Sequence, residues 1–221
     1  AEMYARAAFR SYGRRHPRLP VLAHDVARYW MSRGHYARAF ETFRAVLPHL
    51  TRASDRLLAW ANLAQAAGGS GDVEAFNEAW ARVWRMVDSG SDLDRVAEAM
   101  INVAVGAAAL GQWVRQELAA SYALQVAKRR SEAQQRLKAE ELLEAARKAG
   151  MGRRAPEEPA PVPEFSEASG QLAEELVAAL HARGIPFVAL PGDDKPDAEL
   201  RALSTVSDAD YAALWSCLVE G

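Results

Sequence analysis

Residues 21–47 read VLAHDVARYWMSRGHYARAFETFRAVL, and the choice of fold begins there. Val21, Leu22, Val26, Tyr29 and Trp30, then Tyr36, Ala39, Phe40, Phe43, Val46 and Leu47, recur at spacings of three and four, which puts each set on one face of a helix. Ser32-Arg33-Gly34-His35 separates the two runs. The segment therefore predicts a helix, a tight turn at Gly34 and a second helix. The pattern then returns. Residues 57–67, a turn over Gly68-Gly69-Ser70-Gly71 and residues 73–87 form a second hairpin, with Asp72 as an N-cap. Residues 96–110, a turn at Gly111 and residues 113–126 form a third, and a last amphipathic helix over 132–148 stops at Gly150 in the manner of a glycine C-cap.

Proline placement agrees with this succession of helices. Pro17, Pro20 and Pro48 lie early, none of the ten prolines falls between residues 49 and 155, and Pro156, Pro159, Pro161 and Pro163 then crowd together. A helix interior does not tolerate proline, so the long gap is what continuous helical structure requires. The turn glycines Gly34, Gly71 and Gly111 stand 37 and 40 residues apart. A helix-turn-helix unit recurring at that period is the mark of a solenoid, because one hairpin cannot cover its own apolar stripe and neighbours must stack to bury it.

The remainder differs in composition. Residues 1–154 carry 24 Lys and Arg against 16 Asp and Glu, whereas residues 155–221 carry 3 against 13, so a basic body is joined to an acidic tail. The expected division is a helical repeat domain over 1–152, a Pro/Glu-rich linker over 153–168 and a small acidic segment over 169–221. Within that segment, 171–183 reads as a helix stopped at Gly184, 185–190 as a short strand, 191–194 as a turn, and 208–219 as a helix capped by Ser207 or Asp208. Half of the 221 residues are apolar and a quarter charged, which excludes disorder as the dominant state. No apolar run is long enough to span a bilayer, and no basic start with an apolar core resembles an export signal. The lone Cys217 fits a reducing compartment, and the expected location is cytoplasmic.

Residues 20–130 resemble the tetratricopeptide repeat family. The first hairpin carries the likeness with Ala27, Gly34, Tyr36, Ala39 and Phe43, the second with Trp60, Leu63, Ala64, Gly71 and Trp80, and the third with Ala104, Gly111 and Trp113. Ala23 and Met100 stand where the family's leading tryptophan would be, Val73 replaces a turn aromatic, Phe76 and Gln116 occupy a small-residue position, and Ala120 replaces the last aromatic. The resemblance implies an all-α, right-handed helical-hairpin solenoid, here with a small helical or α+β C-terminal appendage. Residues 2–14, with Tyr4, Ala8 and Phe9 on one face, read as the second helix of an earlier unit, which would make the chain a fragment of something longer.

In such a solenoid the first helix of each hairpin lines the inner face. Nine residues ahead of the turn glycines stand Asp25, Asn62 and Asn102, flanked by His24, Arg28 and Gln65. The resemblance implies that such a ladder holds an extended peptide, and an Asp at its first rung favours a basic or backbone-donor ligand. Catalytic signals are weak. His16, His24, His35 and His49 form no i, i+4 pair, no HExxH occurs, Cys217 reads as a small buried thiol, and Gly68-Gly69-Ser70-Gly71 follows no strand and precedes no Lys-Ser/Thr. No catalytic residue, metal or cofactor is expected. Lys128-Arg129-Arg130, Arg136, Lys138, Arg147, Lys148, Arg153 and Arg154 are interleaved with Glu132, Glu140, Glu141 and Glu144, as on a solvated helix face, and no nucleic-acid-reading motif accompanies them.

The reading is therefore a non-enzymatic protein-protein interaction module, an adaptor or scaffold that binds a peptide or protein segment in a concave groove. The acidic tail is expected to dock on the basic helices in cis or in a homo-oligomer. The alternative is a sensor or assembly domain of a larger regulatory protein, with transcriptional control among its possible outputs; an enzyme using His24, Asp25 and Arg28 comes third.

Overall fold

A computed structural model describes residues 2–89, 93–150 and 165–183. The expected strand 185–190, turn 191–194, helix 208–219, Cys217 and most of the 153–168 linker lie outside the described residues. Among the described residues there are nine α-helices, a 3-10 turn over Leu47–His49 and no strand, so the fold is all-α. The helices are α1 (Glu2–Tyr12), α2 (Leu19–Ser32), α3 (Tyr36–Val46), α4 (Ala53–Ser70), α5 (Val73–Asp88), α6 (Val96–Ala109), α7 (Trp113–Arg129), α8 (Ala133–Gly150) and α9 (Glu167–His181). α1 packs on α2, α2 pairs with α3, α4 with α5, α6 with α7, and α7 with α8.

Local chemistry sets the boundaries. Pro20 occupies the first turn of α2, where its missing N–H would be unpaired in any case. Asp72 caps α5 as expected, its side chain accepting from the Ala75 N–H at 2.9 Å. Gly34, Gly71 and Gly111 each take a left-handed backbone, with φ of 83°, 79° and 70°. The two N–H groups at each turn fold back on the last carbonyls of the preceding helix. Gly71 bonds Gly68 and Asp72 bonds Ala67; Gly111 bonds Ala108 and Gln112 bonds Ala107; Gly34 bonds Met31 and His35 bonds Trp30. The same geometry closes α7 onto α8, with Ser131 at φ 57° in the glycine's place.

Two expectations are corrected here. Gly68-Gly69-Ser70-Gly71 is not all turn: α4 continues through Ser70 and only Gly71 leaves the helix. Gly150 does not cap α8 but belongs to it. The helical glycines instead admit close neighbours. A Cβ on Gly68 would overlap the Gly106 carbonyl, one on Gly106 would lie 2.5 Å from the Ala64 oxygen, and one on Gly69 would stand 2.5 Å from the Tyr36 ring. α4 and α6 thus cross backbone to backbone. α4 is consequently buried nearly all round, through Leu57, Leu58, Ala61, Leu63, Ala64 and Ala67 among others, as befits a helix enclosed by α3, α5 and α6. Of the aromatics expected to fill gaps between hairpins, Phe43 and Trp80 are fully buried, while Tyr36, Trp60 and Trp113 are half-buried.

α9 returns to the N-terminal half, packing on α3 and touching α1 and α2. Phe165, which the sequence placed in the linker, seats its ring edge-on against Trp30 and His35 at 5.6 and 4.6 Å, and Ser166 caps α9 by accepting from the Ser169 N–H at 3.2 Å. The described part of the acidic segment therefore lies on the first helices. The rest of the acidic tail, residues 184–221, whose docking at the end of α7 and along α8 is expected, lies outside the described residues.

These positions separate two kinds of glycine. Gly71→Ala meets open space and should cost only the left-handed backbone penalty, about 1 kcal/mol, whereas Gly106→Ala must push α4 away and should cost more, about 2–3 kcal/mol. Ser131→Gly should stabilise by about 0.5–1 kcal/mol, because it relieves a left-handed residue that has a Cβ. Urea unfolding of the three variants checks the order.

Candidate functional site

The inner helices α2, α4 and α6 are joined by a chain of polar side chains. Asn102 Nδ2 donates to Asn62 Oδ1 at 2.7 Å, and Asn62 Nδ2 lies 3.1 Å from His24 Nε2. Asn62 is completely buried, so both ends of its amide are satisfied inside the protein, as a buried amide requires. The His24 ring packs edge-on against Phe43 at 5.4 Å. Sequence spacing put Asn62 and Asn102 side by side, as their hydrogen bond has them, but placed Asp25 at the first rung, where the structure has His24. Asp25 points away, with its side chain 67% exposed and its Oδ1 3.7 Å from His24 Nδ1.

The one-residue difference has a steric cause. α4 and α6 meet at Ala64, Gly68 and Gly106, so two short asparagines touch directly. On α2, Tyr29 and Trp30 stand before the turn where Gly106 stands on α6, and α2 keeps far fewer close backbone approaches to α4. Only a longer side chain reaches across. Arg28 also spans the inner face, its Nη2 3.5 Å from Glu98 Oε1 on α6, while Arg95 grips the same carboxylate through Nε at 2.9 Å and Nη2 at 3.1 Å. Gln65 is half-buried on α4 and stands outside this chain. Asn62 is thus sealed by the protein's own side chains, with His24 and Asn102 part-buried on either side of it.

A second polar element was not foreseen. Arg115, only 3% exposed on α7, lies over the Trp80 and Phe76 rings of α5 at 5.4 and 6.0 Å, and its Nη1 donates to Asn77 and to Gln112. Trp80, Trp84 and Tyr122 continue the contact at centroid separations of 5.7 and 5.3 Å. Gln116 beside it donates to the Leu142 carbonyl at 2.9 Å, tying α7 to α8. The sequence signal was a charged residue on the buried face of α7, next to Gln116 and four before Ala119.

His16, His24 and His35 do not converge. His16 stacks on Tyr12 at 4.2 Å, His35 meets Phe165, and His24 belongs to the inner chain. Among the described residues no three His, Cys, Asp or Glu side chains are grouped so as to hold a metal ion, and no helix is long and apolar enough to cross a membrane. His49 is held below its ordinary value of 6.5 by burial and then by the Arg183 charge, with His181 adding to the effect and the Leu180 backbone opposing it.

An apolar groove opens on the surface at the N-terminal end. Between α1 and α2 lies a groove of about 310 Å³ lined by Tyr4, Ala5, Ala8, Leu22, Val26 and Tyr29, with Asp25 as its acidic member. Tyr4 is 74% exposed beside it. Protein-family models, curated proteins and solved structures all give no match to this chain.

Asn62→Ala leaves the part-buried Asn102 donor and His24 ring nitrogen without their partner and should cost about 1–3 kcal/mol, whereas Arg28→Ala removes a partly exposed ion pair and should cost under about 1 kcal/mol; denaturant unfolding distinguishes them. For His49, the unfolded chain takes up a proton near 6.5 and the folded one only at lower pH. Stability should therefore fall as pH drops from about 6.5 through the depressed folded value, and His49→Gln should flatten that slope in pH-dependent thermal unfolding.

Proposed function

We propose that the chain is a non-enzymatic interaction module: a right-handed, tetratricopeptide-like stack of helical hairpins that binds a peptide or protein segment at the α1–α2 groove. What supports the stacking is repetition. The ends of α2, α4, α6 and α7 close with the same pair of backbone hydrogen bonds around a left-handed residue, and α2, α4 and α6 share one polar chain. Work is done by binding alone, without a cofactor.

The observation that carries the reading is Asp25 standing beside the apolar groove of Tyr4, Leu22, Val26 and Tyr29. The groove takes one or two apolar side chains, whose burial contributes about 1.5–3 kcal/mol each. The carboxylate takes a Lys, an Arg or a backbone N–H next to them in sequence. Arg28 does not compete for Asp25, because Glu98 already receives it. The partner is thus a segment with an apolar anchor and an adjacent positive charge.

Selection from a random decapeptide display library tests this directly. Binders should be enriched in an apolar residue within two positions of Lys or Arg. Asp25→Lys should reverse the charge preference, and Tyr29→Ala should weaken selected peptides about tenfold, the loss expected for one large apolar contact. A library that yields no binders, or binders indifferent to Asp25→Lys, overturns the assignment.

A further inference from the structure

The loop between α1 and α2 faces the C-terminal end of α9 across an open cleft of about 600 Å³. Among the described residues its walls are Arg14, Arg15, Ala179, Ala182 and Arg183. The fold brings these groups together deliberately. Gly13, with φ 68°, ends α1 by bonding the Phe9 carbonyl at 2.8 Å and turns Arg14 and Arg15 out of the helix. Arg183 Nη1 donates to the His16 carbonyl at 2.7 Å, which pins the end of α9 against that loop. One donor of the Arg183 fork is used in this way. Arg14 and Arg15 are exposed and form no ion pair with described residues.

No carboxylate lines the cleft among the described residues, although the same protein pairs Arg28, Arg38, Arg52, Arg95 and Arg147 with acidic partners. Three guanidinium groups converging with no counter-charge among the described residues repel one another, and neighbouring His49 feels the same charge, its proton affinity lowered by burial first and then by Arg183. Among the described residues, only the small side chains of Ala179 and Ala182 line the cleft beside the arginines. Such an arrangement is stabilised by an anion that accepts several charge-assisted hydrogen bonds at once. Guanidinium forks match the oxygens of phosphate in a bidentate way, and the cleft is larger than one phosphate group fills.

We propose that this cleft binds a soluble polyvalent oxyanion of the phosphate class, a diphosphate or phosphate ester, through Arg14, Arg15 and Arg183. The site is separate from the α1–α2 groove: it uses the loop beyond α1 and the end of α9, and none of its lining residues is shared with that groove. Its ligand is an anion, where the groove selects a cation.

Isothermal titration of the full chain with inorganic pyrophosphate, at low and at physiological salt, provides the test. Arg14→Ala with Arg15→Ala should weaken binding at least about tenfold, and Arg183→Lys, which keeps the charge and loses the fork, should weaken it by a smaller factor. Arg136→Ala with Lys138→Ala on α8 removes equal charge away from the cleft and should change affinity less than about twofold. Both arginines of the loop are exposed, so thermal unfolding of the Arg14→Ala, Arg15→Ala variant should match the parent. Absence of binding to the parent chain, or equal weakening by the α8 pair, overturns the proposal.

Discussion

The contact on which the rest of the structure depends is the backbone crossing of α4 and α6 at Ala64, Gly68 and Gly106. Packing there leaves no room for a Cβ on either glycine, so the two helix axes are set by main-chain atoms that cannot rotate away. A crossing fixed in this way transmits its position to everything built on either helix. α6 carries α7 and α8 with it, and α4 is enclosed by α3, α5 and α6 until hardly any of its surface reaches water.

The polar chain through His24, Asn62 and Asn102 follows from that geometry. Two asparagines bond directly only because the glycines let their helices approach; the wider gap to α2 is bridged by an imidazole. Buried amides of this kind specify register more than they add net stability, since a displaced helix would leave each donor without a partner. Asn62 is sealed and Arg28 is tied across to Glu98, while the groove and the cleft described above are built by α1, α2 and α9 and the loop between α1 and α2.

Arg115 plays a matching part on the other side. A guanidinium stacked on Trp80 and Phe76 and hydrogen-bonded to Asn77 and Gln112 fills the space between α5 and α7, which make little direct backbone contact. Long side chains hold together what the backbones do not. The aromatic series Trp80, Trp84 and Tyr122 extends the same seam.

The helices and most of their ends were legible in the sequence, because their causes are local. Apolar spacing marked the buried faces, Asp72 supplied a cap, and Gly34, Gly71 and Gly111 supplied left-handed turns within a few residues of where they act. Ser131 escaped notice because a serine at a left-handed position carries no compositional mark, and Gly68 and Gly69 were mistaken for turn residues because a glycine that opens a helix and one that permits a neighbour look alike in one dimension. The spacing also showed that Asn62 and Asn102 lie side by side, yet not that Asn62 is sealed, nor that His24 takes the place of Asp25. Interhelix distance decided both. That distance is set by which residues from distant parts of the chain meet at each crossing, and so it exists only once the helices are packed.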